Sequence, residues 1–297
     1  MFNSVAKWAV TALTLGLFVS AAPYKPERRD VSAELLQQFN LFEQYAAAAY
    51  CEENFNSTGT KLTCSAGNCP LVEAADTKTI DEFTDSSYGN VTGFLAVDNT
   101  NKLIVLSFRG TRSIDTWISN LDFTLKDIGD ICSGCEIHNG FWKSWNSVSD
   151  DLTSRLQSTV SEYPDYAIIF TGHSAGAAVA TVGTLVLRKV GYAVDLYPYG
   201  CPRIGNGQLA EYMTTQTPGT NYRITHTDDI VPRLPPEWAG YSHYSPEYWI
   251  TSPNNVTVTT ADIQVIQGID SDAGNAGTDG LSTDAHGWYF GPISACQ

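Results

Sequence analysis

Positively charged residues are scarce in this chain. Its 297 residues include 17 Lys and Arg against 32 Asp and Glu, which gives a formal net charge of −15, and charged residues of either sign make up only 16%. Because an acidic chain repels phosphate backbones, no nucleic-acid partner is expected, and anionic lipid headgroups are disfavoured for the same reason. The 43% of hydrophobic residues is typical of a folded globular protein.

Long apolar runs are also scarce. The main one, residues 8–19, follows Lys7 and precedes small residues at 20–22. Its length is about half of what spans a bilayer, so it predicts a secretory signal peptide over residues 1–22 rather than a membrane anchor. The remaining apolar runs are shorter than a bilayer requires, and no integral membrane span is expected.

A dibasic pair marks a second processing site. Arg28-Arg29 ends the polar stretch 23–29, which predicts a short propeptide. The domain that remains comprises residues 30–297. Because signal peptides direct secretion, we expect an extracellular protein. The sequence does not fix an oligomeric state, and we expect a monomer.

The seven cysteines all lie within residues 30–297, where an oxidising compartment would allow six of them to pair. Spacing and parity suggest two short loops and one bridge between distant residues: Cys64–Cys69, Cys132–Cys135 and Cys51–Cys296. Cys201 would then be a buried free thiol beside a predicted strand. The Cys132–Cys135 spacing also occurs in zinc sites, but no second CxxC and no His pair completes one. No metal and no cofactor is expected.

Three N-x-S/T sequons provide candidate glycosylation sites on a secreted protein. They begin at Asn56, Asn90 and Asn255.

No internal repeat or low-complexity linker divides the chain, which favours a single domain. Apolar residues recur at helical spacing in three segments: 32–49, 142–156 (ended by Pro164) and 175–190. Apolar, β-rich runs predict four buried strands: 103–108, 167–170, 195–199 and 222–227. Buried strands that alternate with helices indicate an α/β fold with a mostly parallel sheet flanked by helices.

The most informative motif is Gly172-His173-Ser174-Ala175-Gly176. It follows a predicted strand and begins a helix of small residues, which is the context of a nucleophile elbow. Such an elbow holds its serine in strained dihedrals, and a side chain at either flanking glycine would collide with the neighbouring strand or helix. The helix N-terminus places a backbone N–H and a positive dipole beside the oxygen that becomes charged. Ser174 is therefore a candidate nucleophile, and a tight turn with a chance serine is the alternative.

A serine hydroxyl needs a base to take its proton and a carboxylate to orient that base. In this fold both follow the serine in the chain. His286 lies in a loop that could bring its imidazole over the elbow and is preferred; His243 is the rival, and His226, inside a predicted strand, is expected to be structural. Asp228 and Asp229 both follow a predicted strand, and their positions alone do not decide between them.

With these features, the chain resembles the class 3 family of filamentous-fungal extracellular lipases. The resemblance extends over nearly all of residues 30–297 and implies a single-domain α/β-hydrolase with a short helical lid over the active site. The segments that carry it, besides the elbow, are 38–42, 47–51, 103–111, 132–135, 222–236, 245–249 and 288–291.

The resemblance also implies roles for individual residues. It implies Ser174 as nucleophile, His286 as base and Asp229, which immediately precedes Ile-Val-Pro, as the orienting acid. The oxyanion hole would use the backbone N–H of Ala175 together with the backbone and hydroxyl of Thr111. The same three disulfides are implied.

Tyr50 and His173 are weaker candidates for substrate binding.

The elbow departs from the family's usual Gly-His-Ser-Leu-Gly-Gly at two positions, where this chain has Ala175 and Ala177. The first change leaves the backbone donor in place but removes a large apolar side chain, so the resemblance does not fix a preference for acyl-chain length.

A short amphipathic segment follows the loop that contains Gly110 and Thr111, which we call the oxyanion loop. Ile114, Trp117 and Ile118 stand at i, i+3 and i+4 and would form one apolar helical face. A surface helix packed on the core fits this pattern, but the position matches the family's lid. We expect this helix to cover Ser174 in water and to open where its apolar face can contact oil.

The expected activity is carboxylic ester hydrolysis, in the first instance of triacylglycerol at an oil–water interface. The substrate is then a lipid ester. The alternatives are a feruloyl esterase of the same superfamily, a phospholipase or a short-chain esterase. A catalytically inactive lipid-binding relative is disfavoured because each triad residue is present.

Overall fold

The computed structural model describes residues 31–85 and 88–297. The signal peptide and propeptide predicted for residues 1–22 and 23–29 lie outside the described residues. No helix among the described residues is long and apolar enough to cross a membrane.

In the described residues, ten strands form a central sheet of eight and a separate hairpin of two. In chain order they are β1 (Thr77–Asp85), β2 (Val91–Asp98), β3 (Leu103–Phe108), β4 (Leu125–Asp127), β5 (Glu136–His138), β6 (Ala167–His173), β7 (Val194–Tyr199), β8 (Arg223–His226), β9 (Glu247–Ile250) and β10 (Ile263–Ile266). The central sheet has the order β1-β2-β3-β6-β7-β8-β9-β10, and β4 pairs with β5. The strands from β3 to β9 in this order are parallel, and antiparallel pairs extend the sheet at both edges. The mostly parallel α/β fold expected from the sequence is confirmed.

Within residues 31–85 and 88–297, seven α-helices accompany the strands. They are α1 (Ala33–Ala48), α2 (Pro70–Ala74), α3 (Ile114–Ser119), α4 (Asn139–Asn146), α5 (Ser149–Glu162), α6 (Ala175–Lys189) and α7 (Gly207–Thr215). The Ser32 hydroxyl accepts from the Leu35 N–H at 3.1 Å and so begins α1. The helices expected over 32–49 and 175–190 and the four expected strands are confirmed, with small differences at their ends.

The single helix expected across residues 142–156 is wrong, because α4 and α5 are separate. The Ser147 hydroxyl donates to the Ser144 carbonyl, which is the acceptor that a continuing helix would offer to the Val148 N–H. The Val148 N–H bonds to the Trp145 carbonyl instead. The side chain of one serine thus competes with the backbone and ends the first helix.

The two faces of the sheet support separate halves of the hydrophobic core. In β3, Ile104 and Leu106 pack into the cluster that contains α4 and α6, whereas Leu103 and Val105 pack into the cluster that contains α1. Successive side chains of a strand point to opposite faces, so α6 and α1 cover opposite sides of the sheet. A strand buried on both faces reads as a continuous apolar run, which is why β3 was readily predicted.

The three expected disulfides are confirmed: Cys51–Cys296, Cys64–Cys69 and Cys132–Cys135. The first joins positions 245 residues apart and ties the segment after α1 to the C-terminal segment. Cys201 is the free cysteine among the described residues and is fully buried. Burial raises the pKa of its thiol to about 12. It is therefore a small packing residue, as expected.

One carboxyl group lies inside the core. Glu43, on the inner face of α1, is 1% exposed, and its Oε1 has no hydrogen-bond partner within the described chain. Burial raises its pKa from the usual 4.5 to about 8, although a hydrogen bond from the Gly291 backbone opposes the rise. Between about pH 4.5 and about pH 8, the folded protein therefore holds a proton on Glu43 that the unfolded chain releases.

We expect Glu43→Gln to abolish the loss of stability that the wild type undergoes as the pH rises. Because the folded pKa lies above the unfolded one, the contribution of Glu43 is fully present below about pH 4.5 and falls as the pH rises towards about 8, by on the order of 5 kcal/mol between these limits. Glutamine keeps the shape but cannot ionise. Urea unfolding at several pH values should show the variant gaining on the wild type as the pH rises.

Glu34→Gln is the matched control, since Glu34 lies exposed on the same helix. A constant difference in unfolding free energy between wild type and Glu43→Gln across this pH range would contradict the assignment of the buried proton.

Candidate active site

Ser174 lies at the sharp turn between β6 and α6. Its backbone dihedrals are φ 58° and ψ −129°, which are strained for a residue with a side chain. Its N–H bonds to the Tyr199 carbonyl of β7 at 2.9 Å, and the residue is 1% exposed. The geometry expected of a nucleophile elbow is therefore present.

The glycines beside Ser174 permit a close approach of three backbone segments. A Cβ on Gly176 would lie 2.3 Å from the Phe108 carbonyl oxygen at the end of β3. A Cβ on Gly172 would lie 2.8 Å from that same oxygen and from the Gly176 backbone. Neither distance is compatible with a side chain, which confirms the collision expected from the motif.

A buried imidazole–carboxylate pair lies beside the elbow. His286 Nδ1 bonds to Asp229 Oδ2 at 2.8 Å, and the two residues are 4% and 0% exposed. Asp229 Oδ2 also accepts from the Tyr289 hydroxyl at 2.7 Å, and Oδ1 accepts from the Val231 N–H at 2.9 Å. Three donors thus fix this carboxylate. Because Oδ2 accepts at His286 Nδ1, that nitrogen carries the proton, and Nε2 is left as the basic atom.

The Ser174 hydroxyl can donate a hydrogen bond, and His286 Nε2 can accept one. Ser174 Oγ and His286 Nε2 are both buried and lack hydrogen-bond partners among the described residues. The two residues line the same cavity of about 280 Å³. Asp228, the neighbour of Asp229, is half-buried and bonds to the Thr227 hydroxyl instead.

The two other histidines that follow Ser174 are held elsewhere. His226 lies between two carbonyl oxygens, of Ala285 and Ser252, at 2.9 Å each. His243 Nε2 bonds to the Pro232 carbonyl at 2.7 Å. Burial, with nearby Arg223 and Arg203 adding to it, holds the pKa of His243 well below its usual value. Neither ring lines the cavity of Ser174.

The two groups expected to form an oxyanion hole flank the elbow. Ala175 is the first residue of α6, and the first N–H groups of a helix have no partner within it. Thr111 follows β3 and lines the cavity that contains Ser174. The backbone before it is close to the nucleophile, because a Cβ on Gly110 would lie 2.9 Å from Ser174 Cβ.

Tyr50 and His173 both line this cavity, yet their polar atoms are engaged with the protein. The Tyr50 hydroxyl and His173 Nδ1 are 2.7 Å apart, and His173 Nε2 is 2.9 Å from the His286 carbonyl oxygen. The sequence motif did not reveal these bonds, since they depend on how α1 packs under the elbow.

A second cavity of about 570 Å³ adjoins the oxyanion loop. We call it the large cavity, and the one with Ser174 the small cavity. Thr111, Arg112 and Ser113 line both of them. The apolar residues of the large cavity are Val91, Phe108, Trp117, Leu121, Phe141, Ala175 and Val179. The small side chain at position 175 therefore borders space in the larger of the two.

Helix α3 stands beside both cavities. Ile114 lines the small cavity and Trp117 the large one, where its ring stacks on Phe141 with centroids 6.4 Å apart. Ile114, Trp117 and Ile118 are half-buried, whereas the polar residues of the helix are exposed. The Ser113 hydroxyl bonds to the Thr116 side chain and does not cap the helix. The predicted amphipathic helix is confirmed; its movement stays a prediction.

The three candidate glycosylation sites are at exposed turns. Asn56, Asn90 and Asn255 have φ values of 54°, 50° and 64°. Each side chain is accessible, and occupancy stays a prediction.

A parallel sheet covered on both faces, with a strained serine between a central strand and a helix, is the arrangement of α/β-hydrolases. The lipase (class 3) family model matches residues 105–238, and the lipase 3 N-terminal region model matches residues 5–80. The chain belongs to the class 3 lipase family and is a carboxylic ester hydrolase.

Similar proteins come from several fungi. The secreted mono- and diacylglycerol lipase A of Penicillium cyclopium is 48% identical over 93% of this chain and 91% of its own. The structure of the mono- and diacylglycerol lipase from Aspergillus oryzae is 44% identical, covers 88% of this chain and 98% of its own, and has a TM-score of 0.84. A triacylglycerol lipase whose catalytic centre is described as a serine protease triad is 28% identical, covers 91% of this chain and 100% of its own, and has a TM-score of 0.79.

Proposed function

We propose that the chain is a secreted acylglycerol lipase that cleaves its substrates through an acyl-enzyme on Ser174. The observation that carries this proposal is the convergence of Ser174 and His286 on one cavity, with Asp229 bonded to the far nitrogen of the imidazole. Ser174 Oγ and His286 Nε2 both lack a hydrogen-bond partner among the described residues, and they are the atoms between which such a mechanism moves a proton.

In this mechanism Ser174 Oγ attacks the ester carbonyl while His286 Nε2 takes its proton, and Asp229 stabilises the imidazolium. The Ala175 N–H, at the positive end of α6, and Thr111 stabilise the negative carbonyl oxygen. The ester C–O bond breaks, and His286 returns the proton to the departing alkoxide. A water molecule, deprotonated by the same imidazole, then attacks the acyl-enzyme carbonyl. The bond to Ser174 Oγ breaks, Oγ recovers the proton from His286, and the fatty acid is released.

The walls of the two cavities suggest which ester groups they hold. The small cavity is lined mainly by polar residues, among them Arg112, Ser113, Asp115 and Thr283. Such walls suit a glycerol leaving group with free hydroxyls, while the large cavity suits an acyl chain. The Penicillium and Aspergillus relatives are named for mono- and diacylglycerols. We therefore infer that partial acylglycerols are hydrolysed faster than the triacylglycerol expected from the sequence.

Helix α3 is the proposed lid. In water its apolar face stays against the protein, because uncovering a few hundred Å² of apolar surface costs several kcal/mol at about 25 cal/mol per Å². At an oil surface the same face can be exposed to lipid, so the open state becomes populated.

The relatives' names also support secretion of this chain.

We expect the hydrolysis rate of a short-chain diacylglycerol to rise sharply once its concentration exceeds the solubility limit. The physical reason is the change in the cost of opening α3. Titration of released acid at constant pH, below and above that limit, measures the effect. Trp117→Ala, which removes the ring that stacks on Phe141, should reduce the size of the rise.

The same assay with other esters tests the substrate class. Emulsified monoolein, diolein and triolein are compared with phosphatidylcholine vesicles and with soluble methyl ferulate. Hydrolysis of the ferulate alone would overturn the lipase assignment, and preference for phosphatidylcholine would replace acylglycerol by phospholipid. A smooth saturation curve across the solubility limit would leave the chemistry in place but contradict the lid.

A further inference from the structure

A second hydrogen-bond network lies beneath the catalytic one, and it begins at His173. This ring is 2% exposed and bonds at both nitrogens. The His286 carbonyl oxygen can only accept, so His173 Nε2 must carry the proton. In a neutral imidazole the lone pair is then on Nδ1, and the Tyr50 hydroxyl donates to it. Burial, and the His286 ring nearby, hold the pKa of His173 well below its usual value, which keeps it neutral.

Tyr50 continues the network to the oxyanion loop. Its oxygen also lies against the Gly110 backbone. The contact is close, because a Cβ on Gly110 would lie 2.3 Å from the Tyr50 oxygen and 2.7 Å from the His173 carbonyl oxygen. One buried hydroxyl thus connects the backbone that precedes Thr111 to the ring that supports His286.

The backbone of the loop that carries the base is held at two successive carbonyls. His173 bonds to the carbonyl of His286, and His226 bonds to that of Ala285. The rings of His173 and His286 also lie against each other, with centroids 4.3 Å apart. Asp229 fixes the side chain of the base, whereas His173 fixes its main chain and supports the ring from one side.

We propose that Tyr50 and His173 are positioning residues, which hold the main chain of His286 and the oxyanion loop in one fixed geometry around Ser174. This inference builds on the proposed function and deepens it. It also differs from the substrate-binding role expected from the sequence, because the polar atoms of both side chains are occupied by protein groups. A misplacement of about 1 Å of a catalytic group can cost about 100-fold in rate.

Tyr50→Phe tests the proposal with the smallest change. It removes the donor to His173 Nδ1 and the oxygen that lies against the Gly110 backbone, while the ring that fills the core remains. We expect kcat for emulsified diolein to fall by about 10- to 100-fold with KM within about twofold of the wild type. The proton on His286 Nδ1, bonded to Asp229, should shift or broaden in proton NMR.

Two variants at position 173 distinguish the bond to the carbonyl from simple filling of space. His173→Gln keeps a donor near the position of Nε2 and should retain more activity than His173→Leu. Since Tyr50 acts through His173, the double variant Tyr50→Phe/His173→Gln should lose less than the product of the two single losses.

Tyr45→Phe is the matched control. It removes a buried hydroxyl from α1, one that donates to Asp98 at 2.8 Å, and should lower stability without changing kcat. A rise in KM with kcat unchanged in Tyr50→Phe would make Tyr50 a substrate-binding residue and overturn the proposal. Wild-type kcat with an unchanged NMR signal would overturn it too. Neither result would affect the proposed function, which depends on Ser174, Asp229 and His286.

Discussion

Ser174→Ala is expected to lower kcat for acylglycerol hydrolysis by about 10⁴- to 10⁶-fold, because no other group supplies the oxygen that forms the acyl-enzyme. Release of fatty acid from emulsified diolein at constant pH measures the loss. The substitution should leave the melting temperature unchanged. Ser174 Oγ makes no hydrogen bond to the described residues, and alanine can adopt the same strained backbone with no greater steric penalty.

Covalent labelling provides an independent check on the same residue. An activated alkyl phosphonate ester should transfer its phosphonyl group to Ser174 Oγ, with loss of its leaving group, and mass spectrometry should find the adduct on the peptide that contains residues 172–176. Ser174→Ala should remain unlabelled. A variant that is folded and still turns over substrate at the wild-type rate would remove the nucleophile from the proposal.

Asp229→Asn is expected to lower kcat by about 10⁴-fold. If the side-chain oxygen stays at the Val231 N–H, the amide group faces His286 Nδ1 and the Tyr289 hydroxyl, where Oδ2 now accepts from both. His286 must then take the other tautomer, with its proton on Nε2, and can no longer accept from Ser174. Because the substitution alters the tautomer of His286 and removes the charge of Asp229, it should lower kcat and change KM little.

Asp228→Asn is the control for this substitution. The two aspartates are adjacent, but Asp228 is half-buried and bonds to a threonine hydroxyl. Steady-state kinetics on emulsified diolein should give wild-type kcat for Asp228→Asn. The opposite pattern, with Asp228→Asn inactive and Asp229→Asn active, would exchange the roles of the two carboxylates.

The elbow could be predicted from the sequence because its geometry is local. A buried strand, a serine between glycines and a helix of small residues follow one another within residues 167–190, and each glycine is required by backbone only a few ångströms away. The central strands were predictable for a similar reason, since burial on both faces produces continuous apolar runs. Strands β1, β2, β9 and β10 of the same sheet were not predicted, although β2 is buried throughout.

The partner of Ser174 could not be chosen by such reasoning. Position alone left His243 and His286 as candidates, and left Asp228 and Asp229 undecided. What separates them is tertiary packing: His243 is enclosed between arginines and a proline carbonyl, and Asp229 is the carboxylate that reaches His286. Tyr289, which donates to the same carboxylate, lies in the segment 288–291 that carries the family resemblance, but its role could not be predicted from the sequence.

The role of Tyr50 illustrates the same limit at longer range. Its hydroxyl meets His173, 123 positions away in the chain, because α1 packs beneath the sheet at the elbow. Nothing in the local pattern around Tyr50 indicates this contact. Sequence periodicity identified the helix and its buried face but not the contact that Tyr50 makes two residues after the helix ends.

The Cys51–Cys296 bridge has a bearing on how this machinery is assembled. Cys51 directly follows Tyr50, and Cys296 closes the segment that carries His286 and Tyr289. The turn that carries Ser174 is formed by residues that are neighbours in the chain. The segment that carries His286 is instead linked covalently to the segment that follows α1, and this link exists only when Cys51 and Cys296 are oxidised. A molecule that leaves the reducing interior of the cell without that closure would have its nucleophile in place but would lack the tether that steadies its proton acceptor.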